Sequence, residues 1–288
     1  MNSQSVKNYY DHNTRLFLKL GQNANSQNIH SALWAEGVED LSVAINYANE
    51  LVFKELVQLQ AKKQDQPLSV LDLGCGVGSS LFYLAHKAAP TTQFHGITIS
   101  AKQAVIAQQH LQQMQSSNCT IVEGDFQQLG DHIPSLDLAF AIEAFIHAPD
   151  AQVFFQQISQ KLKPGGLLII IDDVLEELLT TANTRTQKKI KTVLSNFKDN
   201  WMAGSLLTIK QLEKHASQHQ MRLSKNKNLT PYLPLNRPRD IFIRTLLKFT
   251  KPFFRNNPYH RSLIGGDARQ IALLNHYICY RCLVFEKL

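Results

Sequence analysis

The chain has 288 residues, 44% hydrophobic and 18% charged, with no run of eighteen apolar residues; this excludes a disordered polymer and a membrane-spanning helix. The net charge of +7 hides an asymmetry: residues 1–184 carry 10 Lys and Arg against 18 Asp and Glu, and residues 185–288 carry 20 against 5. The C-terminal part thus has a balance of +15, as expected of a surface that meets something anionic.

Residues 1–66 read as helical, with Tyr9, Tyr10, His30 and Trp34 as unusual features and Ala61 to Pro67 as a polar connector. The polar start, Met1 to Lys7, lacks the apolar core of a secretory signal, and four cysteines fit free thiols in a reducing cytoplasm. From residue 68 strand-length apolar runs alternate with helical patterns, the signature of βαβ units and a parallel sheet. The expected strands are 68–73, 93–98, 119–123, 136–142 and 166–172, with helices over 78–89, 101–116 and 149–162. Ser100 is placed to cap the second of these helices, and Lys163-Pro164-Gly165-Gly166 to close the third. Beyond Asp173 come helices at 185–200 and 208–218 and a strand at 220–229. A basic, aromatic segment at 231–262 follows, then a helix at 266–275 and a last strand at 276–286. The expected organisation is a helical cap, 1–66, and an α/β domain, 67–288, with lid segments at 174–205 and 231–265. Cys279 and Cys282 match a CxxC spacing, but three residues apart in a strand their sulfurs point to opposite faces. With no second pair to complete a metal set, they read as two strand cysteines.

The most informative stretch runs from Val70 to Ser80, VLDLGCGVGSS, a buried strand entering a glycine turn that opens a helix. Glycine at 74, 76 and 78 lets backbone approach a ligand closely. The dinucleotide fingerprint needs its third glycine five residues after the first, where Ser79 stands, so the spacing does not suit a pyrophosphate and points to S-adenosylmethionine. Ligands of open α/β sheets sit outside the carboxyl ends of the strands. There the sequence puts Asp72, able to accept from an ammonium, and Gly124-Asp125-Phe126, a carboxylate and a ring suited to an adenine. The fourth strand leads through Ala141, Glu143 and Phe145 to His147.

In this order and spacing, LDLGCGVG, GDF, AIEAFIHAPD and LKPGGLLIIID resemble the class I S-adenosylmethionine-dependent methyltransferases over residues 66–175. The similarity is to the small-molecule branch of sterol, tocopherol and sugar methyltransferases and cyclopropane synthases. It extends to Tyr9-Tyr10-Asp11 and Ile29-His30…Trp34, which implies acceptor contacts for Tyr10, His30 and Trp34. The fold implied is a Rossmann-like seven-stranded sheet with the last strand antiparallel, helices on both faces and a helical cap. The cofactor implied is S-adenosyl-L-methionine, held by Asp72, Gly74, Gly76, Gly78, Gly124, Asp125, Phe126 and Ala141. Most class I members hold the ribose with an acidic residue at the end of the second strand; Thr98 stands there, and the resemblance gives Thr98 and Gln103 the ribose and Ile99 the adenine.

Methyl transfer needs alignment and, for a hydroxyl nucleophile, a base. His147 follows the strand end that faces the methyl group, and histidine has the right pKa range. The resemblance pairs it with Asp172 for O-methylation of a small, largely apolar acceptor. Glu143 is the rival, as the carboxylate that would serve C-methylation or cyclopropanation of a lipid or isoprenoid. A third reading is a non-catalytic cofactor-binding adaptor. Within the basic segment 240–255, Arg244, Lys248, Lys251 and Arg255 recur at helical spacing with Phe242, Leu246, Phe249 and Phe253 interleaved. A lid, a contact with an anionic membrane surface, a dock for an anionic carrier protein, and a plain solvated face all remain open. Nucleic acid is not expected, since no recognised binding module accompanies the charge.

Overall fold

Strand β4, Leu136–Ile142, is buried on both faces up to Ala141, a pattern that only a central strand covered by helices on each side can use. The structure is a computed structural model that describes residues 2–20, 30–64, 66–114, 116–177, 184–254 and 257–288; for 15–20, 184 and 251–254 the backbone alone is described. Around β4 lie β1 (Ser69–Leu73), β2 (Gln93–Thr98), β3 (Cys119–Glu123), β5 (Leu162–Leu175), β6 (Met221–Asn228) and β7 (Ile278–Lys287). The sheet order is β3-β2-β1-β4-β5-β7-β6. Strands β1 to β5 pair in parallel, and β7 runs antiparallel to both β5 and β6, so it alone is reversed in the seven-stranded sheet. The chain order reverses between β1 and β4, and the carboxyl ends there form the crevice where ligands of such sheets bind.

Helices α1 (Ser3–Leu20), α2 (Leu41–Lys62), α3 (Ser79–Lys87), α4 (Ala101–Met114) and α5 (Ala151–Lys161) precede the midpoint of β5. They are followed by α6 (Thr184–Trp201), α7 (Ile209–Gln218), α8 (Pro238–Phe254) and α9 (Pro258–Leu274). Strand alternation sorts the sheet's side chains into two cores. Val70, Phe94, Leu138, Ile169 and Tyr280 pack with Val52 and Leu56 of α2, Phe197 of α6 and Ala272 of α9. Leu71, Ile97, Ala139, Ile170 and Leu283 pack on the other face with Phe154 and Phe155 of α5 and Leu212 of α7. Helix α2 thus belongs to the main core, whereas α1 crosses above the strand ends. Cys282 falls in the first core and Cys279 in the second, so the CxxC sulfurs do diverge.

Three expectations change. Strand β5 is Leu162–Leu175 rather than 166–172, because α5 ends at Lys161 and Leu162 already pairs with Leu136. The Lys163-Pro164-Gly165-Gly166 run is therefore an irregular strand start, with Gly165 at φ +73, and not a helix closure. The basic segment folds as α8 and the first turns of α9, which begins early because Pro258 sits in its first turn and the Asn257 side chain accepts from His260 N–H. Finally, the basic stripe is not one exposed face. Arg244 turns inward to Asp267 of α9 at 2.8 Å, Arg255 lies outside the described residues, and so does the Lys251 side chain. Ile29 and residues 178–183 of the 174–205 lid also lie outside them.

At the opposite end of the sheet, Asp137 is buried and clamped by Lys63 at 2.5 Å and Lys163 at 2.8 Å, and it accepts from Ser69 N–H at 2.9 Å. Burial alone would raise its pKa; the two lysines and the amide outweigh burial and hold it below the usual carboxylate range. One side chain so ties the end of α2, the start of β1 and the start of β5 to β4. Asp137→Ala is expected to lower the unfolding free energy by about 2–3 kcal/mol in urea titrations at pH 7. Because the folded pKa is depressed, this contribution is full above about pH 4 and is lost as the pH falls through the folded value. An unchanged urea midpoint would remove the clamp from the account.

Candidate active site

A cavity of about 440 Å³ opens over the carboxyl ends of β1, β2, β4 and β5, with α1 above it and α8 and α9 along its far wall. Its near end is the glycine turn. A Cβ on Gly74, at φ +80, would stand 2.7 Å from the Ala144 side chain. At Gly76, φ +57, the Cβ direction meets only Gln103 Oε1 at 4.0 Å, so backbone faces open cavity there. Beside the turn Asp72 is buried, and its Oδ2 has no hydrogen-bond partner. Burial pushes its carboxyl well above the usual range, a cost that a cationic donor in the cavity would offset. The open glycine turn and this orphaned oxygen fit the amino-acid end of S-adenosylmethionine.

Thr98 donates to Gln103 Oε1 at 3.0 Å, and both line the cavity with Ile99. Asp125 and Phe126 line it too; Gln127 N–H fixes Asp125 Oδ1 at 2.8 Å, and Phe126 rests edge-on against Phe154. Three expected cofactor residues are not on the cavity wall. Gly78, at φ +88, caps α3, where a Cβ would run into the Phe82 ring at 2.6 Å. Gly124 lets Ile97 pack against the backbone, its Cβ position lying 3.0 Å from Ile97 Cδ1. Ala141 points into the α5 core, and the wall position passes to Ile142.

Helix α1 spans the cavity and is pinned at strand ends along its length. Lys7 pairs with Glu123, the last residue of β3, and Asp11 accepts from Ser100 Oγ at 2.5 Å while its carbonyl accepts from Lys102 at 2.6 Å. Tyr9 is hydrogen-bonded to Ser262 of α9 at 3.1 Å. Tyr10 reaches His147 at 2.7 Å. Met202 C=O lies 3.2 Å from His147 Nδ1 and can only accept, so Nδ1 carries the proton and Tyr10 O–H donates to Nε2. Burial lowers the His147 pKa against the opposing pulls of Met202 C=O and Glu143, which leaves the ring neutral.

Asp172 is not bonded to His147. Its Oδ2 accepts from Ile146 N–H at 2.9 Å, so it holds the 3₁₀ turn Phe145–His147 and positions the histidine through the backbone. Burial, with Asp173 beside it, raises its pKa well above the usual range. Glu143 sits at φ +50, a strained conformation for a side chain of this size, and accepts from Ser31 N–H at 3.1 Å. Burial works to raise its pKa, but Arg269, Ser31 and His30 pull harder and hold the carboxylate ionised. His30 lines the cavity with both ring nitrogens buried and without a hydrogen-bond partner, and burial lowers its pKa. Trp34, by contrast, is 38% exposed and off the cavity wall; its backbone N–H docks on Tyr232 C=O instead.

Sequence reasoning missed Tyr9, Ser31, Asp173, Trp201 and Arg269, all on the cavity wall. Arg269 binds Asp173 through Nε at 2.5 Å, Ser31 Oγ at 3.2 Å and Glu143 at 3.7 Å. Tyr9 was noted as an unusual feature but given no site role, and Asp173 adjoins Asp172; nothing in the α9 sequence marks Arg269.

The family described as Methyltransferase domain matches residues 64–232. Methyltransferase GfsG of Streptomyces halstedii is 28% identical over 185 residues, 63% of this chain and 62% of that protein. Sterol 4-C-methyltransferase strm-1 of Caenorhabditis elegans is 28% identical over 160 residues, 55% of this chain and 46% of that protein. The chain thus spans less than two thirds of either relative. The fold matches the cyclopropane synthase MmaA2 of Mycobacterium tuberculosis with a TM-score of 0.73 and 19% identity, covering 100% of this chain and 99% of that one.

Gly76→Val forces a branched side chain onto a positive φ and into the cavity. It is expected to keep the fold by circular dichroism and to weaken S-adenosylmethionine binding about tenfold or more in calorimetry, a loss of ~1.4 kcal/mol or above. Unchanged affinity in the folded variant would move the ligand away from the turn.

Proposed function

We propose that this chain, which belongs to the methyltransferase-domain family, transfers the methyl group of S-adenosylmethionine to a small, largely apolar acceptor, most directly to a hydroxyl oxygen. The bound sulfonium supplies the electrophilic methyl. What the protein adds is alignment, exclusion of water by α1, and a place for the acceptor's proton.

The observation that carries the reading is the state of His147. The ring is buried and neutral, its Nδ1–H is anchored on Met202 C=O, and its Nε2 lone pair is directed at a hydroxyl inside the cavity. In the structure that hydroxyl belongs to Tyr10. An acceptor hydroxyl taking the same place would give its proton to Nε2 as its oxygen bonds to the methyl carbon, while the methyl–sulfur bond would break with its electron pair left on sulfur as a neutral thioether. Asp172 and Met202 hold the turn and the tautomer, so the lone pair needs no reorganisation at the moment of reaction.

Glu143 favours a second reading, C-methylation or cyclopropanation of an alkene. Its carboxylate is ionised, lines the same cavity and sits on a strained backbone, where it could stabilise a developing carbocation without taking a hydroxyl proton. The C. elegans relative, named a sterol 4-C-methyltransferase, supports it as well.

The deciding experiment screens apolar phenols, alcohols and alkenes with methyl-labelled S-adenosylmethionine, then compares variants on the best acceptor. With a hydroxyl acceptor, His147→Ala should lower kcat by about 10²–10⁴ with little change in cofactor affinity. Because burial lowers the pKa of His147, the working base form persists below about pH 6.5, and the acid limb of the rate profile should fall there. Full activity in His147→Ala with loss in Glu143→Gln would select the second reading. Cofactor binding without turnover on any acceptor would favour a non-catalytic binding protein.

A further inference from the structure

Helix α8 faces solvent with its greasy side. Leu247 is buried, Ile243 is half-buried and Arg244 is paired with Asp267, so this side packs on α9 and the cavity. The outer side carries Phe242 at 68% exposure, Phe249 at 71%, Ile241 at 47% and Leu246 at 43%. The two phenylalanines are the most exposed large apolar side chains among the described residues. At 100° per residue, the four and Thr245 occupy an arc of about 140°. Arg239 and Lys248 flank its two edges; both are exposed, and neither makes an ion pair among the described residues. Such a patch on a water-soluble surface marks a contact with something apolar.

Charge decides what that contact is. A second copy of the helix would bring Arg239 and Lys248 against their own kind, which is repulsive. An acidic carrier protein would use the cations but has no need of two bare aromatic rings at the centre of the face. An aromatic arc rimmed by long cationic side chains suits a lipid interface, with rings at the acyl boundary and cations among the phosphates. Four further exposed cations, Arg185, Lys188, Lys189 and Lys191, stand on α6, which packs against α9 as α8 does. No helix among the described residues is long and apolar enough to cross a membrane, so the contact is interfacial.

We infer that α8 seats this protein on an anionic lipid bilayer, with Phe242, Leu246 and Phe249 in the acyl boundary and Arg239 and Lys248 on headgroup phosphates. The other side of the same helix supplies Asp240 and Ile243 to the cavity wall, so the seat brings the cavity to the bilayer surface. The docking does not depend on the acceptor reading above; that reading adds only that an apolar acceptor would be taken from the lipid.

The test is co-sedimentation of the full chain with vesicles of phosphatidylcholine alone and of phosphatidylcholine mixed with phosphatidylglycerol, with no acceptor present. Binding is expected to the anionic vesicles and should weaken with salt, as the screening length shrinks from about 8 Å at 0.15 M to about 3 Å at 1 M. Phe242→Ser with Phe249→Ser should reduce it about tenfold or more, since two rings lose their apolar surroundings. Lys248→Glu should weaken it by a smaller factor. Neither variant removes a side chain from the cavity, so S-adenosylmethionine affinity should be unchanged and certifies the fold. No binding to anionic vesicles at low salt overturns the inference, as does binding that survives the double Phe variant. Self-association abolished by that variant, or capture by an acidic carrier protein without vesicle binding, would give the face to those partners instead. Vesicle binding by a chain that methylates no apolar acceptor would retire the acceptor reading and leave the docking standing.

Discussion

One buried guanidinium ties α9 to the carboxyl ends of β4 and β5 on the cavity wall. Arg269 of α9 is held by Asp173 at the end of β5, by Glu143 after β4 and by the Ser31 hydroxyl. Its plane lies over the rings of Trp201, from α6, and Tyr280, from β7. Two carboxylates and one cation in a nearly dry site are stable only as a set. Removing the cation leaves two uncompensated charges, and breaking such a buried pair typically costs about 3–5 kcal/mol. Burial and the neighbouring carboxylates pull the Arg269 pKa in opposite senses, and the carboxylates win. Helix α9 is therefore fixed to the carboxyl ends of β4 and β5 by this ion-pair set as well as by its apolar contacts in the first core.

That arrangement explains why Glu143 can remain at a positive φ. A glutamate there costs backbone energy, and such strain persists where surrounding contacts over-determine the conformation. Ser31 N–H and Arg269 supply those contacts. The strained residue, the neutral His147 and the carboxyl of Asp72 are all on one cavity wall, so the groups least comfortable in the fold are gathered where a ligand would meet them.

The sheet was legible because its signals are local. Buried strands of five to seven residues and the glycine turn announce themselves, and β2, β3 and β4 fall at the expected residues. Asp72, Gly74, Gly76, Thr98 and Asp125 come to one cavity because each follows or ends a parallel strand. Ala141 lies off the wall because alternation decides which side a strand-end residue faces, and one position separates the wall from the core. Trp34 also lies off the wall, its backbone N–H docked on Tyr232 C=O and its side chain exposed. Arg244 leaves the α8 stripe for a related reason: cationic spacing gives a face but not its direction, and Asp267, on another helix, turns Arg244 inward. Arg269 left no sequence trace, since its meaning lies in partners 96 and 126 residues away.

Helix α1 is tied to the end of β3 through Lys7, to the residue after the end of β2 through the Asp11–Ser100 bond, and to His147 on the cavity wall through Tyr10. A single helix thus joins the ends of two strands to the candidate base. If cofactor and acceptor both lie under this helix, as proposed above, whichever arrives first and orders it spares the other that entropic cost, and linkage of this kind is reciprocal. Cooperativity between cofactor and acceptor then requires no change of shape in the sheet, only a helix that both must hold still.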